Sequence, residues 1–529
     1  MVPFSKIFKT YQWAILTGLL VGTTYIPFPP WALFFCYVPL WLWASDSKLT
    51  LKQIFWGGWL SQFVLTLIGF PWIAYVSKEF GFMPWPLAIG TLLLFAATVH
   101  LYIPLALVLA SLVQRKRELS RFSFFALLSV LMALSEIYWP SLFPWNLGYP
   151  FLWIKSPVVQ TTDIWGFQTL SLLVYLTNST IAIGIQQRQM GRRRWIPAVS
   201  MILIWISLHI WGGYRKSNWS NLPESLTALV VQANIGNFEK FAAEKGIGFQ
   251  QQIADQYFSQ TRAGLKMHPY PDLVIWPESA FPDFLNDFTA FRPYTRQLIS
   301  FVQEIKRPLM TGGYAAEPPS SGFRETYNGL FLYGPDGRVL VPPYHKTLLL
   351  AFGEYVPFGK LFPILKELNP GGPGFGKGKG PQVFTTDQWK IGVQVCYESL
   401  DPQFTSDLAK LGAEVLVNVT NDSWFGNSFE PHQHLFMTLA RAIESRRPMI
   451  RSTNTGISAA IQADGEISEL SPLFQSWTGE LKVKYLKSPP LTIHSRFGHL
   501  IPYFLILLSL FLIWNPSWLK STFNPPRNK

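Results

Sequence analysis

Charge is what this chain of 529 residues has least of. Asp, Glu, Lys and Arg together make up 14%, against about 25% in ordinary soluble proteins. That is too little to clothe a water-facing surface. Acid is the scarcer sign, with 31 Asp and Glu against 44 Lys and Arg, a net charge of +13. Cysteine is almost missing: two residues exclude a disulfide framework and a cysteine-rich zinc site. Disorder is excluded by the opposite observation, a hydrophobic content of 49%. What the chain has in excess is aromatic, with 22 Trp and 42 Phe, a composition suited to lipid-facing and interfacial surface.

The excess base falls in short segments between apolar stretches: Lys6 and Lys9; Lys48 and Lys52; Arg115, Lys116, Arg117 and Arg121; Arg188, Arg192, Arg193 and Arg194; and Lys520, Arg527 and Lys529. Only Asp46 and Glu118 oppose them there. This pattern marks membrane topology and not a nucleic-acid footprint, so nucleic acid is no partner and a membrane is. Apolar stretches predict about eight spans, near 12–28, 31–45, 54–76, 86–113, 122–139, 165–186, 195–213 and 499–515. With the N-terminus cytoplasmic, every basic cluster lies on one side and the opposite loops carry little beyond Lys78 and Lys155. The expected organisation is a membrane domain over 1–214, an extracytoplasmic domain over 215–498, and a last span with its tail over 499–529. Glu136 and Asp163, near span ends among Trp139, Trp145, Trp153 and Trp165, read as carboxylates snorkelling from an aromatic belt, or as part of a loop that shapes a headgroup site.

Between about 220 and 490 the pattern changes to short β-rich runs alternating with helical stretches. Strands are expected at Leu226–Gln232, Leu273–Trp276, Leu309–Tyr314, Gly329–Tyr333, Arg338–Val341, Lys390–Cys396, Glu414–Val419, Met449–Thr453 and Ile457–Gln462. Helices are expected at 245–266, 289–305, 401–411 and 431–446, and Asp336-Gly337 and Asp464-Gly465 read as hairpin turns. Strands mixed with helices at this length predict an α/β sandwich.

Three motifs close strands in this segment: Trp276-Pro277-Glu278-Ser279, Tyr344-His345-Lys346 and Val395-Cys396-Tyr397-Glu398. Each alone says little, since a cysteine ending an apolar strand is commonly a small buried hydrophobe. Together they supply a base, a cationic stabiliser and a nucleophile. Acyl transfer needs a thiolate, and an ordinary thiol at pKa about 8.5 needs a base or a positive field to become one. Glu278 is the candidate base, and Lys346 the candidate partner of a developing oxyanion.

In these residues the chain resembles the nitrilase superfamily, whose triad is Glu, Lys and Cys in that order. With its flanking spans it is similar to the apolipoprotein N-acyltransferase family. Further matching motifs are Val231-Gln232-Ala233-Asn234-Ile235, Phe352-Gly353-Glu354-Tyr355-Val356-Pro357-Phe358, Asn421-Asp422-Ser423-Trp424-Phe425-Gly426, and Arg446-Arg447-Pro448 leading to Asn454-Thr455-Gly456. The resemblance implies a polytopic α-helical membrane protein carrying an αββα nitrilase-like sandwich, in a bacterial cytoplasmic membrane with the catalytic domain on the periplasmic side. It implies catalysis by Glu278, Lys346 and Cys396, support from Glu354, Tyr397 and Glu398, and substrate contacts at Phe241, Phe358, Phe362 and Trp424. The reaction implied takes an acyl chain from a glycerophospholipid, through a cysteine thioester, to the α-amine of a diacylglyceryl-cysteine apolipoprotein, with no cofactor. Phe241 stands where the family often has Trp, and His499 where Asp is common. A membrane-tethered amidase acting on small carbon–nitrogen substrates is the alternative, since the same triad would serve with water as acceptor.

Two look-alike motifs fail. Gly371 to Lys377 resembles a P-loop, but Gly378 stands where Ser or Thr must meet magnesium and no strand leads in, so a hinge is the expected use. His432 and His434 are two apart and would face different sides of a helix, which disfavours a metal site. The apolar run 356–368, with Lys360 and Lys366, is expected to rest on the outer leaflet as a lid; packing of Leu361, Phe362 and Leu365 into the core is the competing expectation.

Overall fold

Capping residues start the membrane helices where the apolar runs begin. Thr50 and Gln53 form a reciprocal capping box at the head of helix Leu51–Gly69, and the Ser120 hydroxyl accepts from the Ser123 N–H at the head of Arg121–Tyr138. The computed structural model describes residues 4–141, 143–244, 248–317, 325–351, 353–356, 359, 361–362 and 374–514. Among these, five helical runs are long and apolar enough to cross a membrane: Trp85–Arg117, Arg121–Tyr138, Pro157–Gln186, Met190–Ser217 and Ile493–Trp514. Leu51–Gly69 with Trp72–Glu79 makes a sixth if that pair, bent by 63°, is one span.

The expectation of eight spans is corrected at its first two. Helix Phe4–Gly22 ends before 28 and is not among the runs that meet the criterion. Residues 31–37 form turns that lead into the seven-residue helix Val38–Ala44. At 1.5 Å per residue such a helix advances only about 10 Å, a third of a hydrocarbon core. Pro27, Pro29 and Pro30, each without an N–H to give, account for the break. Glu136 and Asp163 do not snorkel either. The Glu136 Oε1 accepts from the Tyr175 hydroxyl at 2.7 Å and the Leu147 N–H at 3.2 Å, and buried Asp163 pairs with Arg215.

The chain divides into two compact units, one holding the membrane helices and the other Tyr75–Met83 with Lys216–Arg496. The second unit contains, among the described residues, two six-stranded sheets. The strands are β1 Glu224–Gln232, β2 Leu273–Ile275, β3 Leu309–Ala316, β4 Thr326–Tyr333, β5 Tyr344–His345, β6 Gln382–Thr385, β7 Lys390–Val395, β8 Val415–Thr420, β9 Met449–Thr453, β10 Ala459–Ile461, β11 Ile467–Leu470 and β12 Trp477–Tyr485. One sheet runs β12-β1-β2-β3-β4-β5 and the other β11-β10-β9-β8-β7-β6. Each has three parallel strands at its heart, β1-β2-β3 and β9-β8-β7, flanked by antiparallel ones. Helices Gln250–Met267 and Pro293–Ile305 cover the first sheet, burying Ile253, Tyr257, Phe258, Leu298 and Phe301 against Leu229, Val274 and Trp276. Helices Pro402–Lys410 and Glu430–Ser445 belong to the second sheet. The result is an αββα sandwich.

The strand expected at Arg338–Val341 is absent beyond one bridge, Tyr333 to Val339: the turn at Gly337 closes through Gly334 N to Arg338 O at 2.8 Å, and β4 takes β5 as its neighbour instead. Strands β5, β6, β11 and β12 form where no strand is expected. Asp464-Gly465 does turn between β10 and β11, with Gly465 at φ +80°.

Candidate active site

Strand ends build the site. Strand β2 is fully buried and stops at Pro277, which has no N–H to extend a ladder. Trp276 is locked by its Nε1–H donating to Thr261 at 3.0 Å and by the rings of Tyr257 and Phe301. The chain then turns through Ser279 at φ +48°, presenting Glu278 at the carboxyl end of the parallel core, where open α/β sheets place their ligands. The backbone of Gly312 lies so close that a Cβ there would sit 2.6 Å from the Ser279 nitrogen.

Lys346 follows β5 and reaches the same point. Its Nζ donates to Glu278 Oε1 at 2.9 Å and to Glu354 Oε1 at 2.8 Å, all three groups being nine-tenths buried. Asn328, on β4, donates from one Nδ2 to both carboxylates, at 2.7 Å to Glu278 and 2.9 Å to Glu354. The Asn421 N–H holds Glu278 Oε2 at 3.0 Å, and the Leu350 N–H holds Glu354 Oε2 at 2.9 Å. Burial by itself would lower the Lys346 pKa; the two flanking carboxylates outweigh it and hold the ammonium well above its ordinary value. Lysine and both acidic side chains are therefore a fixed, hydrogen-bonded set.

Cys396 follows β7 directly, at φ +53°. Burial pushes its thiol up, the Glu278 carboxylate pushes it further, and Lys346 pulls it down by less. The resting group is thus a thiol, with a carboxylate and an ammonium in its field. Glu398 ties its turn to the lysine loop. Its Oε1 accepts from the Tyr344 hydroxyl and the Thr347 N–H, each at 2.6 Å, and from the Leu348 N–H at 3.1 Å. Its Oε2 accepts from the Val395 N–H at 2.7 Å. Burial raises this carboxyl to about 7 in spite of these donors.

The structure thus brings together Glu278, Lys346, Cys396, Glu354 and Glu398. Tyr397, on the same turn, is half-buried. Trp424 is half-buried with its ring edge-on to Phe80 at 3.8 Å between centroids, both within the second unit. Phe241 lies on helix Asn237–Glu244. Phe362 and Leu361 are 59% and 72% exposed, so these two are not core; Phe358 and Leu365 lie outside the described residues. The hinge expectation is corrected over 374–378. Phe375 N donates to Glu354 O, Gly376 N to Thr326 O and Gly378 N to Lys346 O at 2.8–2.9 Å, so this stretch is bonded to the site's own backbone. His434 joins Asp422 and Glu430 in a buried cluster whose ligand atoms lie within 4.8 Å of one another. Arg451 already supplies positive charge there, 2.9 Å from Asp422. Sequence reasoning missed Asn328 and gave Asn421, though quoted in its motif, no role; a lone Asn inside the apolar run of β4 was the available signal for Asn328.

The profile of the family described as Carbon-nitrogen hydrolase matches residues 227–484, and that of the Apolipoprotein N-acyltransferase N-terminal domain matches 17–180. The apolipoprotein N-acyltransferase of Bdellovibrio bacteriovorus is 45% identical over 497 residues, covering 92% of this chain and 90% of that one. This chain belongs to the apolipoprotein N-acyltransferase family. The Geobacter metallireducens member is 31% identical, with 88% of each chain covered. Among solved structures, a carbon-nitrogen hydrolase from Helicobacter pylori is 15% identical, covering 54% of this chain and 94% of that one, with a TM-score of 0.36. An apolipoprotein N-acyltransferase is an acyltransferase, and the family's match along the membrane helices as well as the sandwich disfavours the alternative of a tethered small-amide hydrolase.

Proposed function

We propose that Glu278, Lys346 and Cys396 carry acyl transfer from a glycerophospholipid to the N-terminal diacylglyceryl-cysteine of an apolipoprotein. The observation that carries this reading is the Lys346 ammonium held between Glu278 and Glu354 in the field of the Cys396 thiol. Glu278 takes the thiol proton as sulfur attacks the ester carbonyl of the phospholipid. The oxyanion that forms is stabilised by Lys346 and by the backbone N–H that follows Cys396. Collapse breaks the ester C–O bond, Glu278 returns the proton to the departing lysophospholipid oxygen, and the acyl group remains on sulfur. In the second half the lipoprotein α-amine attacks the thioester, Glu278 takes a proton from nitrogen, and the thiol leaves reprotonated as the amide forms.

Glu354 fixes Lys346, Glu398 fixes the two loops on each other, and Trp424 and exposed Phe362 contact the lipid substrates. The catalytic unit lies on the periplasmic side, a reading supported by the one-sided basic clusters. The test is intact mass spectrometry of the purified protein after incubation with phosphatidylethanolamine in detergent. A fatty-acyl adduct on Cys396, discharged by a diacylglyceryl lipopeptide and absent in Cys396→Ala, is expected. N-acylation of the lipopeptide by Cys396→Ala at the wild-type rate would overturn the mechanism.

A further inference from the structure

Cys396 occupies the left-handed region, where a residue with a Cβ stays only if its surroundings hold it. Its carbonyl oxygen is the handle. It accepts from the Ser399 hydroxyl at 2.9 Å and from the Asn418 side-chain amide at 3.2 Å. Both donors trace back to one side chain. Arg451, on β9, is wholly buried and stands beside Asn418 of β8 in the parallel register. Its Nη1 donates to Asn418 Oδ1 at 2.5 Å and to the Thr438 hydroxyl oxygen at 3.3 Å, and Thr438 lies 2.8 Å from the Ser399 hydroxyl. Its Nη2 donates to Asp422 Oδ2 at 2.9 Å.

An arginine can only donate, so each group it meets must accept. With Oδ1 of Asn418 occupied by Arg451, the amide must turn its NH2 toward the Cys396 carbonyl. The single Ser399 proton goes to the Cys396 carbonyl, so across the Thr438–Ser399 contact Thr438 donates while its oxygen accepts from Arg451. Two arms of fixed polarity therefore leave one guanidinium and close on one carbonyl. A lysine carries the charge but lacks the planar fork that serves three partners at once. We infer that Arg451 is a positioning residue for the nucleophile, orienting Asn418 and the Thr438–Ser399 pair so that they clamp the strained Cys396 turn. This rests on the reading of Cys396 as the nucleophile.

Thr438→Val cuts one arm at constant shape, Ser399→Ala cuts the same arm one bond later, and Arg451→Lys releases both. The measurements are the rate of Cys396 acylation from phosphatidylethanolamine by intact mass, the KM for that donor, and the melting temperature. Thr438→Val is expected to slow acylation about tenfold, the worth of one or two neutral hydrogen bonds, and Arg451→Lys about a hundredfold. KM should stay within about twofold, because no substrate contact is touched. Adding Ser399→Ala to Thr438→Val should cost nothing more, since both break one arm. Wild-type acylation rates per folded molecule in Thr438→Val and Ser399→Ala would overturn the inference, whether or not Arg451→Lys folds. Lack of any adduct on wild-type Cys396 would overturn the nucleophile assignment, and the inference with it.

Discussion

Gly378→Ala should disable the enzyme without touching any side chain of the proposed triad. A Cβ at this position would lie 1.9 Å from the His345 carbonyl oxygen, 2.7 Å from its carbon and 3.1 Å from the Lys346 oxygen. Carbon and oxygen settle at about 3.3 Å even in close contacts, so one backbone must retreat by about 1.4 Å. The glycine strand is bonded in place through Gly378 N to Lys346 O and Gly376 N to Thr326 O, and the lysine strand through Lys346 N to Asn328 O. Retreat of either moves Lys346, whose two carboxylate bonds of 2.8–2.9 Å have no slack. A misplacement of about 1 Å in a reacting constellation costs about a hundredfold in rate, and overpacking costs about 1–3 kcal/mol in stability. The assay is the burst of acyl-enzyme formation beside thermal denaturation followed by tryptophan fluorescence. A burst about a hundredfold slower with a melting temperature only a few degrees lower is expected. A burst within about threefold of wild type, or a loss equal to the unfolded fraction, would refute the argument.

Lys346→Met should slow thioester formation by about two orders of magnitude, since one oxyanion donor is worth about 3 kcal/mol, and Glu278→Gln should abolish the burst while the protein still melts cooperatively. A rapid burst in either variant would place that residue in the second half-reaction. Glu398, raised to about 7 by burial, stabilises the fold most fully below its unfolded pKa of about 4.3 and loses that contribution as pH rises through about 7. Melting temperature should therefore fall between pH 5 and 8 by more in wild type than in Glu398→Gln; equal slopes would dismiss Glu398 as the source. Replacing exposed Leu361 and Phe362 with Asp should impair transfer from long-chain phospholipid far more than alkylation of Cys396 by iodoacetamide, and equal loss on both would return the pair to a structural role.

The convergence of Glu278 and Cys396 was legible because each follows an apolar strand, and strand ends in an α/β sandwich share one edge; Lys346 instead follows the two-residue β5, beyond an expected strand that did not form. Membrane helices were legible wherever an apolar run met a cap, as at Thr50 and Ser120. They failed at 31–45, where hydropathy alone did not show that the turns following Pro27, Pro29 and Pro30 run on to Tyr37. Strand β12 was missed although Leu481-Lys482-Val483-Lys484-Tyr485 alternates in burial as a half-buried strand should. Its two lysines on the solvent face suppress mean hydropathy without disturbing the period. The hinge over the glycine run failed for a different reason. Glycine marks either freedom or close approach, and only the folded chain brings Gly378 against the His345 carbonyl.

The electrostatics of the site fit a transferase that must wait for lipid. A thiol paired with an imidazolium is ionised at rest and reacts with whatever arrives. Here burial and the Glu278 charge keep Cys396 protonated, while Lys346 is already ionised between two carboxylates. On the proposed mechanism the proton leaves sulfur as attack spreads charge onto the oxygen that Lys346 stabilises. On that mechanism, deprotonation is thereby coupled to the presence of an acyl carbonyl. That coupling depends on both carboxylates. Without Glu354 the ammonium would collapse onto Glu278 alone and neutralise the base, so Glu354→Gln should lower the rate of thioester formation more than it lowers stability, and an intact burst in that variant would contradict this division of roles.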